Sequence, residues 1–192
     1  MIVRGVYLVC FLFLLVACSS IDEGSDHKVV YKNYSPPLDQ LISADDDIAI
    51  HVIKSEYVLH IVAADTIVKS YPIVLGKNPI DDKRCEGDMC TPEGKFYIRD
   101  KYPHKSWNKF LWVDYPSKES WQKPQNAKSK GLIPEDATIG SEIGIHGVPE
   151  GKDYLVDEAK NWTWGCVSMK NKDVEEIYPY VVVNKTPIII KP

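Results

Sequence analysis

Short runs of β-branched and aromatic residues recur along this chain from residue 48 onward, each broken by a polar turn. Positions 48–53, 57–62 and 67–75 form three such runs, separated by Lys54-Ser55-Glu56 and Ala64-Asp65-Thr66. That pattern predicts consecutive antiparallel strands joined by hairpins. After the polar loop 76–93 a second set follows at 94–99, 110–114, 143–146 and 186–190. One segment has a helical period: Val174, Ile177, Tyr178 and Val181 recur at i, i+3, i+4 and i+7. Asn171 is the candidate N-cap, and Asp173, Glu175 and Glu176 load the first turns with acid, as the helix dipole favours. Pro179 stops or distorts this helix. The expected fold is mainly β with one helix near the C-terminus. The segment 116–138, with Trp121 and Pro124, has little strand pattern and reads either as a lid beside a cleft or as an irregular surface helix.

The start of the chain has a different character. One positive charge, Arg4, precedes an apolar run over 6–17 that is too short to span a bilayer as a stable helix. Residues 1–17 are expected to be a signal peptide. The run closes with Leu15-Val16-Ala17-Cys18, which resembles the bacterial lipobox, so Cys18 is the expected lipidation site and membrane anchor. The alternative is an ordinary signal in which Cys18 sits by chance. Residues 18–44, polar and containing Pro36-Pro37, suit a lipidated N-terminus and linker, and 45–192 a single domain without internal repeats. The protein is thus expected to be exported and lipid-anchored at the cell envelope. Ser19 lacks the Asp that retains lipoproteins in the inner membrane, which favours the periplasmic face of the outer membrane in a Gram-negative cell, while a Gram-positive cell would carry it outside the cytoplasmic membrane. A net charge of −4 with no basic cluster argues against nucleic acid as a partner.

The candidate chemistry lies in two motifs. Gly144-Ile145-His146-Gly147 places a histidine in an apolar, glycine-flanked run, and Thr163-Trp164-Gly165-Cys166-Val167-Ser168-Met169 places a cysteine behind a glycine. A thiol is a useful nucleophile only as the thiolate and needs a base or cation nearby. His146 is the candidate general acid/base and Cys166 the candidate nucleophile. A lone cysteine is more often an inert buried thiol; the matched His146 shifts the reading towards catalysis. His51, His60 and His104 are scattered, have no partners at ligand spacing and read as ordinary strand or surface histidines, so no metal site is expected. Cys85 and Cys90 bracket a Gly-containing turn; in an exported protein they read first as a disulfide, with free thiols or a redox switch as the alternatives. Trp162 and Trp164 flank the cysteine and either line a groove or pack on the following helix.

From Ile48 to the C-terminus these motifs resemble the L,D-transpeptidases of bacterial cell walls, the YkuD-type catalytic domain. The resemblance rests on His146-Gly147, on Thr163-Trp164-Gly165-Cys166 with the hydrophobic residues after it, and upstream on Leu75-Gly76-Lys77-Asn78-Pro79 and on Glu86-Gly87-Asp88 leading to Thr91-Pro92-Glu93-Gly94. It implies a β-sandwich-like domain with a short helix after the cysteine, no cofactor or metal, and peptidoglycan stem peptides as substrate. Cys166 would attack the carbonyl of the third stem residue to form a thioester, with His146 as imidazolium partner of the thiolate and Gly165 and Cys166 supplying backbone N–H groups to the oxyanion. Gly147, Thr163, Trp164 and Ser168 would bind substrate. Two positions depart from the pattern: Ser168 stands where arginine is common and Trp164 where histidine is frequent. An amine acceptor gives a cross-link or a wall-attached protein. Water gives an L,D-carboxypeptidase or a hydrolase of protein–peptidoglycan links; a peptidoglycan-binding lipoprotein without turnover is the third reading.

Overall fold

The computed structural model describes residues 36–192, so the expected signal peptide, Cys18 and Ser19 lie outside the described residues. Eight strands form the domain: β1 (Ile48–Ile53), β2 (Val58–Ala63), β3 (Thr66–Val74), β4 (Gly94–His104), β5 (Asn108–Val113), β6 (Gly144–His146), β7 (Val167–Met169) and β8 (Pro187–Lys191). Their order is β1-β2-β3-β7-β6-β5-β4-β8, and β8 pairs back onto β1, so the expected mainly β layering closes on itself. Closure removes the unpaired strand edges. Ile50, Val52, Leu59, Ile61, Ile98, Leu111, Ile145 and Ile188 point into a shared core, each buried, while their neighbours along the strands lie on the opposite face of the sheet.

Three helices decorate the barrel: α1 (Gln122–Ser129), α2 (Tyr154–Asp157) and α3 (Asn171–Ile177). α3 is the helix that the periodicity predicts. Val174 and Ile177 are buried in the core, and the helix packs on β5 and β6. Its N-cap is Lys170 and not Asn171, and a 3₁₀ turn over Tyr178–Tyr180 carrying Pro179 replaces its last turn. The segment 116–138 holds a 3₁₀ turn and α1 over residues 119–129, so the surface-helix alternative describes about its first half.

Three features differ from the sequence reading. β4 runs past residue 99 to His104 because it pairs with β8 over its first half and β5 over its second. β7, only three residues long, has no strand signature of its own; it exists because β3 and β6 flank it. The folded unit also begins earlier than residue 45. Leu38 is fully buried in the core, and the Glu176 carboxylate accepts from Leu38 N, Lys69 Nζ and Tyr71 Oη, which fastens this segment to α3 and β3. From Pro36 on, the expected linker is part of the domain.

Candidate active site

β6 and β7 run parallel at the centre of the sheet, with Ile145 opposite Val167 and His146 opposite Ser168. Cys166, one residue before β7, therefore comes level with Gly144 and enters the same cavity as His146. Gly144 is required here: a Cβ would lie 2.4 Å from Phe110 Cζ. The space lets the Phe110 ring lie flat beside His146, with centroids 5.7 Å apart, while Trp107 stacks on the imidazole at 4.6 Å and Trp162 meets it edge-on.

This aromatic box leaves His146 1% exposed, with Nδ1 2.7 Å from Gly147 O. A carbonyl oxygen only accepts, so Nδ1 carries the proton and Nε2 is left as the base. Burial lowers the His146 pKa to about 4; the Gly147 carbonyl acts in the opposite direction, and His104 lowers it further. The Cys166 thiol is half-buried and donates to Glu142 O at 3.5 Å. Burial raises its pKa to about 11, opposed by the Gly144 N–H and Lys83 and reinforced by the Glu142 carboxylate. Both shifts disfavour the imidazolium–thiolate pair implied by the resemblance, because burial penalises the charged form of each group.

Glu142 adopts φ +60, a left-handed conformation that aims its carbonyl at Cys166 Sγ. Its carboxylate opposes ionisation of the thiol. Glu142→Gln, which keeps the backbone and removes the charge, is expected to lower the thiol pKa and speed alkylation of Cys166 by iodoacetamide at neutral pH about threefold to tenfold, measured by mass spectrometry. An unchanged rate would show that the charge is screened.

The cavity, about 510 Å³, takes one wall from Tyr102, His104, Trp107, Phe110 and Trp112, and the other from Lys83, Glu86, Glu142, Thr163 and Trp164. Residues 47–190 match the family model of the YkuD L,D-transpeptidase catalytic domain. The chain belongs to this family. Among solved structures, the YkuD domain is similar in fold to the helical cell shape determining protein Pgp2 from Campylobacter jejuni, at 22% identity and TM-score 0.58 over 77% of this chain and 48% of that one. Bd1075 of Bdellovibrio bacteriovorus gives 19% identity and TM-score 0.55 over 76% and 48%. An L,D-transpeptidase of Enterococcus faecium gives 16% and 0.50 over 76% and 50%. The chain thus spans about half the length of these structures. No curated protein matches it in sequence.

Other residues that the YkuD resemblance singles out have varied places. Thr163 and Trp164 line the cavity, Trp164 being 67% exposed with the Lys77 ammonium against its ring. Gly147 and Ser168 do not line it. Ser168 is fully buried and donates its hydroxyl to Gly147 O at 3.4 Å, so it stands behind the histidine and not in the substrate's path. Gly147 is buried against Asn171 and the Trp107 carbonyl. The Gly165 N–H is not free for an oxyanion: it donates to Thr163 Oγ1 at 3.2 Å, and that hydroxyl donates to Cys166 O at 2.7 Å. Thr163 closes the turn that presents the cysteine.

Cys85 and Cys90, expected first as a disulfide, are free thiols. Asp88 closes their loop instead, its carboxylate accepting from Lys83 Nζ and from the N–H groups of Arg84, Cys85 and Cys90. The end of segment 116–138 does reach the cleft, since Thr138 bonds to Glu86 at its rim, but the cavity wall itself comes from residues 140–143. Sequence reasoning missed His104, read as an ordinary histidine, along with Tyr102, Trp107 and Phe110. The available signal was the period-two spacing of Tyr102 with His104 and of Phe110 with Trp112, which puts each pair on one face of its strand.

Proposed function

We propose that this YkuD domain is a cysteine-dependent L,D-transpeptidase that acts on peptidoglycan stem peptides, in a protein lipid-anchored at the cell envelope through Cys18. The observation that carries the reading is a cavity shared by the Cys166 thiol and an imidazole whose Nδ1 is tied to Gly147 O, which leaves Nε2 as a base.

In this mechanism Cys166 Sγ attacks the carbonyl carbon of the third stem residue while its proton passes to His146 Nε2. The oxyanion takes the Cys166 N–H, since Gly165 N–H is engaged; one such donor lowers the barrier by about 3 kcal/mol. The C–N bond then breaks, His146 returns the proton to the departing amine of the terminal D-amino acid, and a thioester remains. An acceptor amine attacks the thioester, gives its proton to His146 and expels the Cys166 thiolate, which takes that proton back. A site that disfavours charge on both groups suits this sequence, in which charge develops only once substrate covers the site.

The test incubates the full chain with tetrapeptide muropeptides beside a Cys166→Ala control and follows products by mass spectrometry. Cross-linked dimers formed only with Cys166 intact are the expected result. Tripeptides without dimers would replace transpeptidation by hydrolysis, and no Cys166-dependent product would leave a peptidoglycan-binding module.

A further inference from the structure

The cavity holds a second imidazole that the proposed reaction leaves without a part. His104 ends β4 and shares with Tyr102 the face on which Phe110 and Trp112 stand. The register orders that face. Trp112 lies opposite Gly144, Phe110 lies opposite both Tyr102 and His146, and His104 lies one rung further, opposite Asn108. Cys166 is at the Gly144 end and His104 beyond His146 at the other. Trp107 joins the two imidazoles, its ring 4.3 Å from His104 and 4.6 Å from His146.

The backbone N–H of Ser106 donates to His104 Nδ1 at 3.1 Å. A ring nitrogen that accepts a hydrogen bond carries no proton, so neutral His104 holds its proton on Nε2. The cavity's two imidazoles are therefore opposite tautomers: His146 offers a base at Nε2, and His104 offers a donor there. Charge is divided the same way. Glu142 stands two residues before β6 at the Cys166 end. Lys83, the cation at that end, is already held by the Asp88 carboxylate and Cys85 O. An anionic group is repelled there and meets a donor at the His104 end.

We propose that His104 is a substrate-binding residue whose Nε2–H donates to the carboxylate of the D-amino acid that leaves on acylation. This rests on the transpeptidase reading. With the acyl carbon on Cys166 and the scissile nitrogen at His146, the carboxylate of the leaving residue comes next along the face, and His104 stands there with its N–H as a donor.

The test compares tetrapeptide donors ending in a free carboxylate with the same donors ending in a carboxamide. The wild-type full chain is expected to favour the carboxylate about tenfold to a hundredfold, through KM. His104→Phe, which keeps a ring on Trp107, is expected to lose most of that preference with kcat little changed, and His104→Gln, which restores an N–H donor, to recover part of it. Wild-type rates of Cys166 alkylation report an intact site in both variants, and His104→Gln carries the comparison if His104→Phe fails to fold. A wild-type preference retained in the variant that folds overturns the assignment. Conversion of neither donor by the wild type overturns instead the transpeptidase reading on which it rests.

Discussion

His146→Gln is expected to lower turnover of tetrapeptide donors by about 10,000-fold or more while leaving the pH dependence of Cys166 alkylation almost unchanged. The two halves of this result have different causes. Turnover needs Nε2 twice, first as acceptor of the thiol proton and then as donor to the leaving amine, and glutamine offers no group of comparable basicity. Alkylation by a small neutral reagent needs only the thiolate. Burial disfavours an imidazolium partner for that thiolate, since it lowers the His146 pKa to about 4 and raises the Cys166 pKa to about 11. The sign follows directly. The thiolate fraction falls as pH drops below about 11, so alkylation should rise about tenfold per pH unit from neutrality to about pH 10, with no plateau in that range, in wild type and variant alike. A plateau between about pH 5 and 8 that disappears in His146→Gln would show a preformed ion pair and reverse the neutral-pair account.

Gly165→Ala is expected to destabilise the domain by about 2–4 kcal/mol and to cost turnover about a hundredfold. Gly165 has φ +134, where a side chain is strained in any surroundings, and a Cβ would lie 2.7 Å from Cys90 O and 3.0 Å from Ile143 Cδ1. The Cys90 backbone has little freedom to retreat: Asn78 bridges to Cys90, Gly76 bridges to Thr163, and Asp88 accepts from Cys90 N. The chain before Cys166 must move instead, carrying the nucleophile away from His146. Urea unfolding together with tetrapeptide turnover checks both effects. Gly151→Ala is the control. Gly151 also has positive φ, yet a Cβ there meets nothing within 4 Å and the residue lies outside the cavity, so its expected cost is backbone strain alone. Equal losses in the two variants would show that contact with Cys90 is unimportant.

Much of this architecture could be read without coordinates. The run over 48–53 alternates buried and outward residues as a strand should, α3 buries Val174 and Ile177 as its period requires, and the paired glycine-flanked His146 and Cys166 mark the cavity that both line. These features are local, since the spacing of apolar positions specifies which face is buried and a few contiguous residues carry each motif. Four others were decided only by tertiary structure. β7 is a strand because neighbours pair with it. Ser168 and Gly147 lie behind the site because the parallel register of β6 and β7 turns them there. His104 reaches the cavity because β4 extends along β5. The lowered basicity of His146 depends on burial by Trp107, Phe110 and Trp162, which lie well away from it in sequence, since the cost of a charge is set by what surrounds it in space. The sequence by itself determined most of the strands and the pair of motifs that meet at the cavity; register and desolvation, which arise only between distant segments, decided the remaining strand, the environment of that pair and what else stands beside it.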